Sequence, residues 1–86
     1  MDSYSILIKR TAEKELRELT SPDLGRVTGK IRKLSEHPRP SGSEKLSDRE
    51  QYRIRQGDYR IVYEIDDEQR LIYIVKIGNR KEVYRK

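Results

Sequence analysis

The segment Tyr52-Arg53-Ile54-Arg55-Gln56-Gly57-Asp58-Tyr59-Arg60-Ile61-Val62-Tyr63 alternates apolar and polar residues on both sides of Gly57-Asp58. That pattern predicts two antiparallel strands joined by a two-residue turn. The turn sets the register: Gln56 opposite Tyr59, Arg55 opposite Arg60, Arg53 opposite Val62. Successive side chains point to opposite faces, so Ile54, Ile61, Tyr63 and Ile65 share a core face while Arg53, Arg55 and Arg60 share the other. A slip of one residue would push Arg60 into the core face, and the hydrophobic pattern therefore holds the register in place.

Downstream of the hairpin, Asp66–Gln69 reads as a turn and Leu71–Ile77 as a third strand, apolar on both faces as an interior strand should be. Upstream, Tyr4, Ile6 and Ile8 alternate with Ser5, Leu7 and Lys9 in a first strand. Thr11 is placed to cap a helix that keeps Ala12, Leu16 and Leu19 on one side. Ser21-Pro22-Asp23 predicts a second start, with Ser21 as cap and Pro22 in the first turn. Leu24, Val27, Ile31 and Leu34 then form one apolar stripe up to Pro38. The two helices make an antiparallel hairpin with a two-residue connection, and 37–43 is a loop rich in proline and glycine. The order β-α-α-β-β-β predicts an α+β fold, the helical hairpin lying on one face of a small, mostly antiparallel sheet.

The 86 residues leave room for a single domain spanning 1–86. A chain of this size buries roughly 60–70% of the surface its unfolded form exposes, so stability is modest. Cysteine is absent, which excludes disulfides, thiolate metal sites and a thiol nucleophile. No apolar run reaches a membrane span and no signal-peptide core precedes the first strand, so a cytoplasmic location without membrane contact is expected. The balance of 20 Lys+Arg against 15 Asp+Glu gives a net charge of +5, weighted toward a tail in which Lys76, Arg80, Lys81, Arg85 and Lys86 face only Glu82. Such a field attracts polyanions, although it also describes an ordinary solvated surface.

Arg55 directly opposite Arg60, with Arg53 two residues away, is a repulsive arrangement that an anion relieves. Guanidinium forks match phosphate and keep their charge at any working pH. The plain alternative is a solvated sheet face partly neutralised by Glu64, two rungs off. Other chemistry is scarce. His37 precedes Pro38 at a helix end and reads as a partner of the helix dipole. Asp66, Asp67 and Glu68 sit in a polar turn with no spacing that suits a metal. No phosphate-cradling glycine loop or nucleophile elbow occurs. In the tail, Arg80 and Tyr84 are close enough to curl over the arginine face. Tyr84 reads equally as a base-stacking or proton-transfer group and as a core anchor beside Val83.

The Y-R-I-R-x-G-D-Y-R-I-V-Y hairpin and the ending I-G-N-R-K-E-V-Y-R resemble RelE-type toxins of the RelE/ParE toxin–antitoxin superfamily. The helical hairpin and the stretch from Ser35 to Leu46 fit as well, so the resemblance spans nearly the whole chain. It implies a ribosome-dependent mRNA endoribonuclease that cuts the A-site codon and inhibits translation. Its partners would be the ribosome, mRNA and a RelB-like antitoxin, the last in a higher hetero-oligomer. The implied reaction is attack of the ribose 2′-hydroxyl on the adjacent phosphate without metal or other cofactor. Carried over by position, Arg53, Arg55 and Arg60 would hold the phosphate and stabilise its charge. Arg80 would lie near the leaving 5′-oxygen, Tyr84 would orient substrate or help in proton transfer, and Lys81 and Arg85 would add RNA contacts. The positions of Arg53 and Arg55 are often lysine in the best-known members. Arginine does not give up its proton, so the base would be Tyr84 or a group of the ribosomal RNA. Two rival readings stand beside it: a ParE-like inhibitor of DNA gyrase, which shares the fold but generally lacks the basic site with the terminal tyrosine, so that Arg60, Arg80 and Tyr84 together argue against it, and a non-enzymatic RNA-binding module using the same basic sheet.

Overall fold

Ile61 and Ile65, like Ile72 and Ile74, lie an even number of residues apart within their segments, and β-branched side chains of this kind suit a pleated backbone. The computed structural model, which describes residues 3–46 and 50–79, turns these segments into strands. In chain order the elements are β1 (Ser5–Ile8), α1 (Arg10–Arg17), α2 (Asp23–Lys33), β2 (Glu44–Lys45), β3 (Gln51–Gln56), β4 (Tyr59–Asp66) and β5 (Leu71–Asn79). They form one sheet in the order β1-β5-β4-β3-β2. The β1–β5 pair is parallel and the other pairs are antiparallel. The α+β class is as expected, with one additional short strand, β2, inside what sequence reads as loop and its sequel.

One face of the sheet carries the core. Tyr52, Ile54, Ile61, Tyr63, Ile65, Ile72, Ile74 and Ile77 are buried against Ala12 of α1 and Val27, Ile31 and Leu34 of the α2 region. Each buried Ile, Leu or Val of this set contributes about 1.5–3 kcal/mol when removed from water. Between Ile74 and Ile77 strict alternation would fail, since the two lie three apart. A bulge resolves it: Val62 pairs with Lys76 and Tyr63 with Ile74, so Val75 is the extra residue. The bulge returns Ile77 to the core and turns Lys76 outward.

The helix boundaries differ from expectation. α1 starts at Arg10 with Lys9 as its N-cap, not Thr11, and no side chain caps it. Lys9 donates its N–H to the Ile74 carbonyl (2.9 Å) and accepts from Glu13 N–H (2.8 Å), so the strand runs straight into the helix. α2 starts at Asp23 with Pro22, not Ser21, at the N-cap. The connection covers 18–22 instead of two residues, because Glu18 and Leu19 close α1 with tight turns to Glu15 and Leu16. Leu24 is 37% exposed and drops out of the buried stripe. α2 also stops before Pro38: Leu34, Ser35 and Glu36 tighten into i→i−3 bonds, and His37 N–H closes on the Lys33 carbonyl.

The loop after α2 is pinned by Arg39. Its guanidinium donates to Tyr52 Oη (3.0 Å), Glu50 Oε1 (2.8 Å) and Asp67 Oδ2 (2.9 Å). Tyr4 Oη donates to Asp67 Oδ1 (2.6 Å), and Tyr63 Oη to the Pro38 carbonyl (2.7 Å). The loop is therefore tied to β3, β4 and the β4–β5 turn, and this tether delivers β2 to the edge of β3.

Candidate nucleic-acid interface

The face opposite the core is set by the hairpin. Its register is the expected one: Gln56 with Tyr59, Arg55 with Arg60, Ile54 with Ile61 and Arg53 with Val62. Gly57 takes φ +61 and no positive φ occurs at Asp58, as in the two-residue turn that places glycine first. Arg53, Arg55 and Arg60 consequently lie together on the non-core face. Arg55 is exposed, and Arg53 and Arg60 are half-buried.

Arg53 is paired with a residue that the sequence pattern did not single out. Glu44, opposite it on β2, forms an ion pair with its guanidinium. A two-residue strand has no period to detect, and its only signal is a Glu-Lys pair after a glycine turn. Glu64 instead accepts from Gln51 Nε2 (3.1 Å), its cross-strand neighbour. Arg55 and Arg60 share one rung of this face. Beyond it, Arg60 lines a hollow of about 170 Å³ with Val62, Lys76 and Gly78, which extends the surface onto β5. Lys76 itself bonds Glu15 Oε2 (2.8 Å), while Glu15 Oε1 accepts the Ile77 N–H (2.8 Å) where β1 no longer covers β5. The acid of α1 thus shields a strand edge and steadies the rim of the face.

The other expected residues, Arg80, Lys81, Tyr84 and Arg85, lie outside the described residues. His37 is exposed. The acidic turn has structural work: Asp66 Oδ1 accepts the Gln69 N–H (3.1 Å), and Asp67 receives Arg39 and Tyr4. Arg39 beside it holds the Asp67 carboxyl below the usual carboxylate range, and the same guanidinium lowers Glu50.

Residues 6–84 match the family described as ParE toxin of type II toxin-antitoxin system, parDE. The chain belongs to that family. This ParE-family toxin also resembles solved RelE structures along nearly its whole length. The isolated Escherichia coli RelE toxin is 28% identical with a TM-score of 0.81, covering 95% of this chain and 92% of that one. The RelBE2 toxin–antitoxin complex of Mycobacterium tuberculosis gives 27% identity and a TM-score of 0.78, covering 91% and 99%. The RelE–RelB complex of the archaeon Pyrococcus horikoshii shares the fold at 24% identity, with a TM-score of 0.80. No curated protein sequence matches the chain. The protein is a type II toxin of the RelE/ParE kind.

Proposed function

We propose that this toxin is a ribosome-dependent mRNA endoribonuclease. The observation that carries the reading is the Arg55–Arg60 rung, two guanidinium groups paired across a hairpin on the open face of a RelE-like sheet. In the reaction the ribose 2′-hydroxyl gives its proton to Tyr84 or a group of the ribosomal RNA, its oxygen forms a bond to the adjacent phosphorus, and the bond from phosphorus to the 5′-oxygen breaks as that oxygen takes up a proton. The products are a 2′,3′-cyclic phosphate and a 5′-hydroxyl. Arg55 and Arg60, with Arg53 behind them, hold the phosphate and stabilise its added charge. Arg80 serves the leaving 5′-oxygen, Tyr84 stacks on or orients the substrate, and Lys81 and Arg85 bind flanking RNA. Arginines and a tyrosine are poorly equipped to align a 2′-hydroxyl for in-line attack, and alignment is a large part of such a barrier. The ribosome, by presenting the A-site codon, provides that geometry, which places the toxin in the cytoplasm. Among the described residues no helix is long and apolar enough to cross a membrane. A RelB-like antitoxin, in a higher hetero-oligomer, is the partner that restrains it.

The test is cleavage of one mRNA, free and in a programmed ribosome, read by primer extension. Cutting in the A site that leaves a cyclic phosphate is expected, and Arg80→Ala or Tyr84→Phe should each lower the rate roughly a hundredfold to a thousandfold, the usual scale for charge-stabilising contacts. Cutting of free RNA at a comparable rate, abolished by EDTA, would overturn the mechanism. The match over 6–84 favours a second reading, a ParE-like toxin acting on DNA gyrase. Intact mRNA together with inhibited gyrase supercoiling would select it.

A further inference from the structure

β2 covers only part of β3: Glu44 pairs with Arg53 and Lys45 with Tyr52, and no rung continues to Ile54 or Arg55. A cleft of about 230 Å³ opens there, bordered by Lys30 of α2, Ser41 and Gly42 of the loop, and Glu44, Arg53 and Arg55. Three cations thus face a single carboxylate, which Arg53 already engages. Lys30 is half-buried, and neither it nor Arg55 has an ion pair or hydrogen bond among the described residues. At Gly42, φ is +94 and an added Cβ would meet nothing within 4 Å, so the loop side of the cleft is open.

We propose that this cleft is a second phosphate subsite, in which Lys30 holds the RNA backbone one step away from the phosphate on the arginine face. The inference rests on the ribonuclease reading and deepens it. Arg53 and Arg55 belong to both the face and the cleft, which makes one continuous cationic track. They stand about 7 Å apart along the strand, comparable to the separation of successive phosphates in an extended nucleic-acid strand. Lys30 contributes a compact point charge with three donors, Ser41 a hydroxyl. An acidic peptide would meet the same charge, and it is an outcome of the test below.

The test uses a 2′-O-methyl hexauridylate, which cannot be cut by its own 2′-oxygen, titrated against the full chain at several potassium chloride concentrations. Lys30→Gln is expected to weaken binding severalfold and to lower the slope of log affinity against log salt by roughly 0.7, the value for one phosphate contact on a single strand. Lys30→Arg should retain both, and Ser41→Glu should weaken binding further. An unchanged melting temperature for Lys30→Gln separates this from misfolding. Binding that falls in Arg55→Gln and is unaltered in Lys30→Gln overturns the subsite and leaves the ribonuclease reading standing. A wild-type chain that shows no salt-dependent RNA binding overturns both. If Lys30→Gln spares RNA binding and loosens a co-expressed antitoxin, the cleft belongs to an acidic protein segment and the proposal fails.

Discussion

Arg55 and Arg60 face each other across one rung of the sheet, and like charges directly opposite each other are destabilising. Replacing Arg55 by Gln should therefore raise the melting temperature slightly while weakening RNA binding, a trade between stability and function at one position. Phosphate should raise the wild-type melting temperature more than sodium chloride at matched ionic strength, because it binds only the folded state. An equal benefit in Arg55→Gln would show that the anion acts elsewhere. Tyr63 gives a second residue-level expectation. It is wholly buried, donates to the Pro38 carbonyl, and burial pushes its phenol up to about 12. The folded chain then keeps a proton that the unfolded chain releases near pH 10. Stability should be intact below about pH 10 and fall as pH rises toward 12. Tyr63→Phe should flatten that alkaline limb in a denaturant titration, at the expense of the hydrogen bond.

Among the elements, the β3–β4 turn and α2 use glycine for opposite reasons. Gly57 needs its left-handed φ, so Gly57→Ala should cost about 1–2 kcal/mol even though nothing lies within 4 Å of the new carbon. Gly29, inside α2 and with equally free surroundings, should gain roughly 0.5–1 kcal/mol as Ala. Chemical denaturation of the two variants checks both signs. The hairpin was legible in the sequence because two independent signals agreed, a turn dipeptide and an alternation that a slip would violate. The helix starts were less legible. Thr11 and Ser21 have suitable cap chemistry, but Lys9 is already committed to the last rung with β5, and that tertiary bond fixes where α1 begins. β2 was invisible for lack of length, and with it went the Glu44 partner of Arg53 and the cleft around Lys30. The bulge at Val75 could be inferred only from the odd spacing of Ile74 and Ile77.

Across the whole molecule, Arg39 joins segments far apart in sequence: Glu50 and Tyr52 on one side, Asp67 and through it Tyr4 on the other. The carboxyls of Asp67 and Glu50 are held low by this guanidinium. Their contribution is present above the ordinary carboxylate range and is lost as pH falls below about 4. Both groups are exposed, so the effect is small and screened by salt. Acid should loosen the 38–46 loop before the sheet, seen as faster amide exchange there, and Arg39→Leu should show that loosening at neutral pH. The parallel partnership of β1 with β5 has a consequence for how the toxin comes into being. A ribosome that has translated the chain only through β4 holds a first strand with no neighbour to join, and the sheet closes only when β5 has emerged. Pairing across so much intervening chain is intrinsically slow. The arginine face therefore rests on an unfinished scaffold until β5 has left the ribosome.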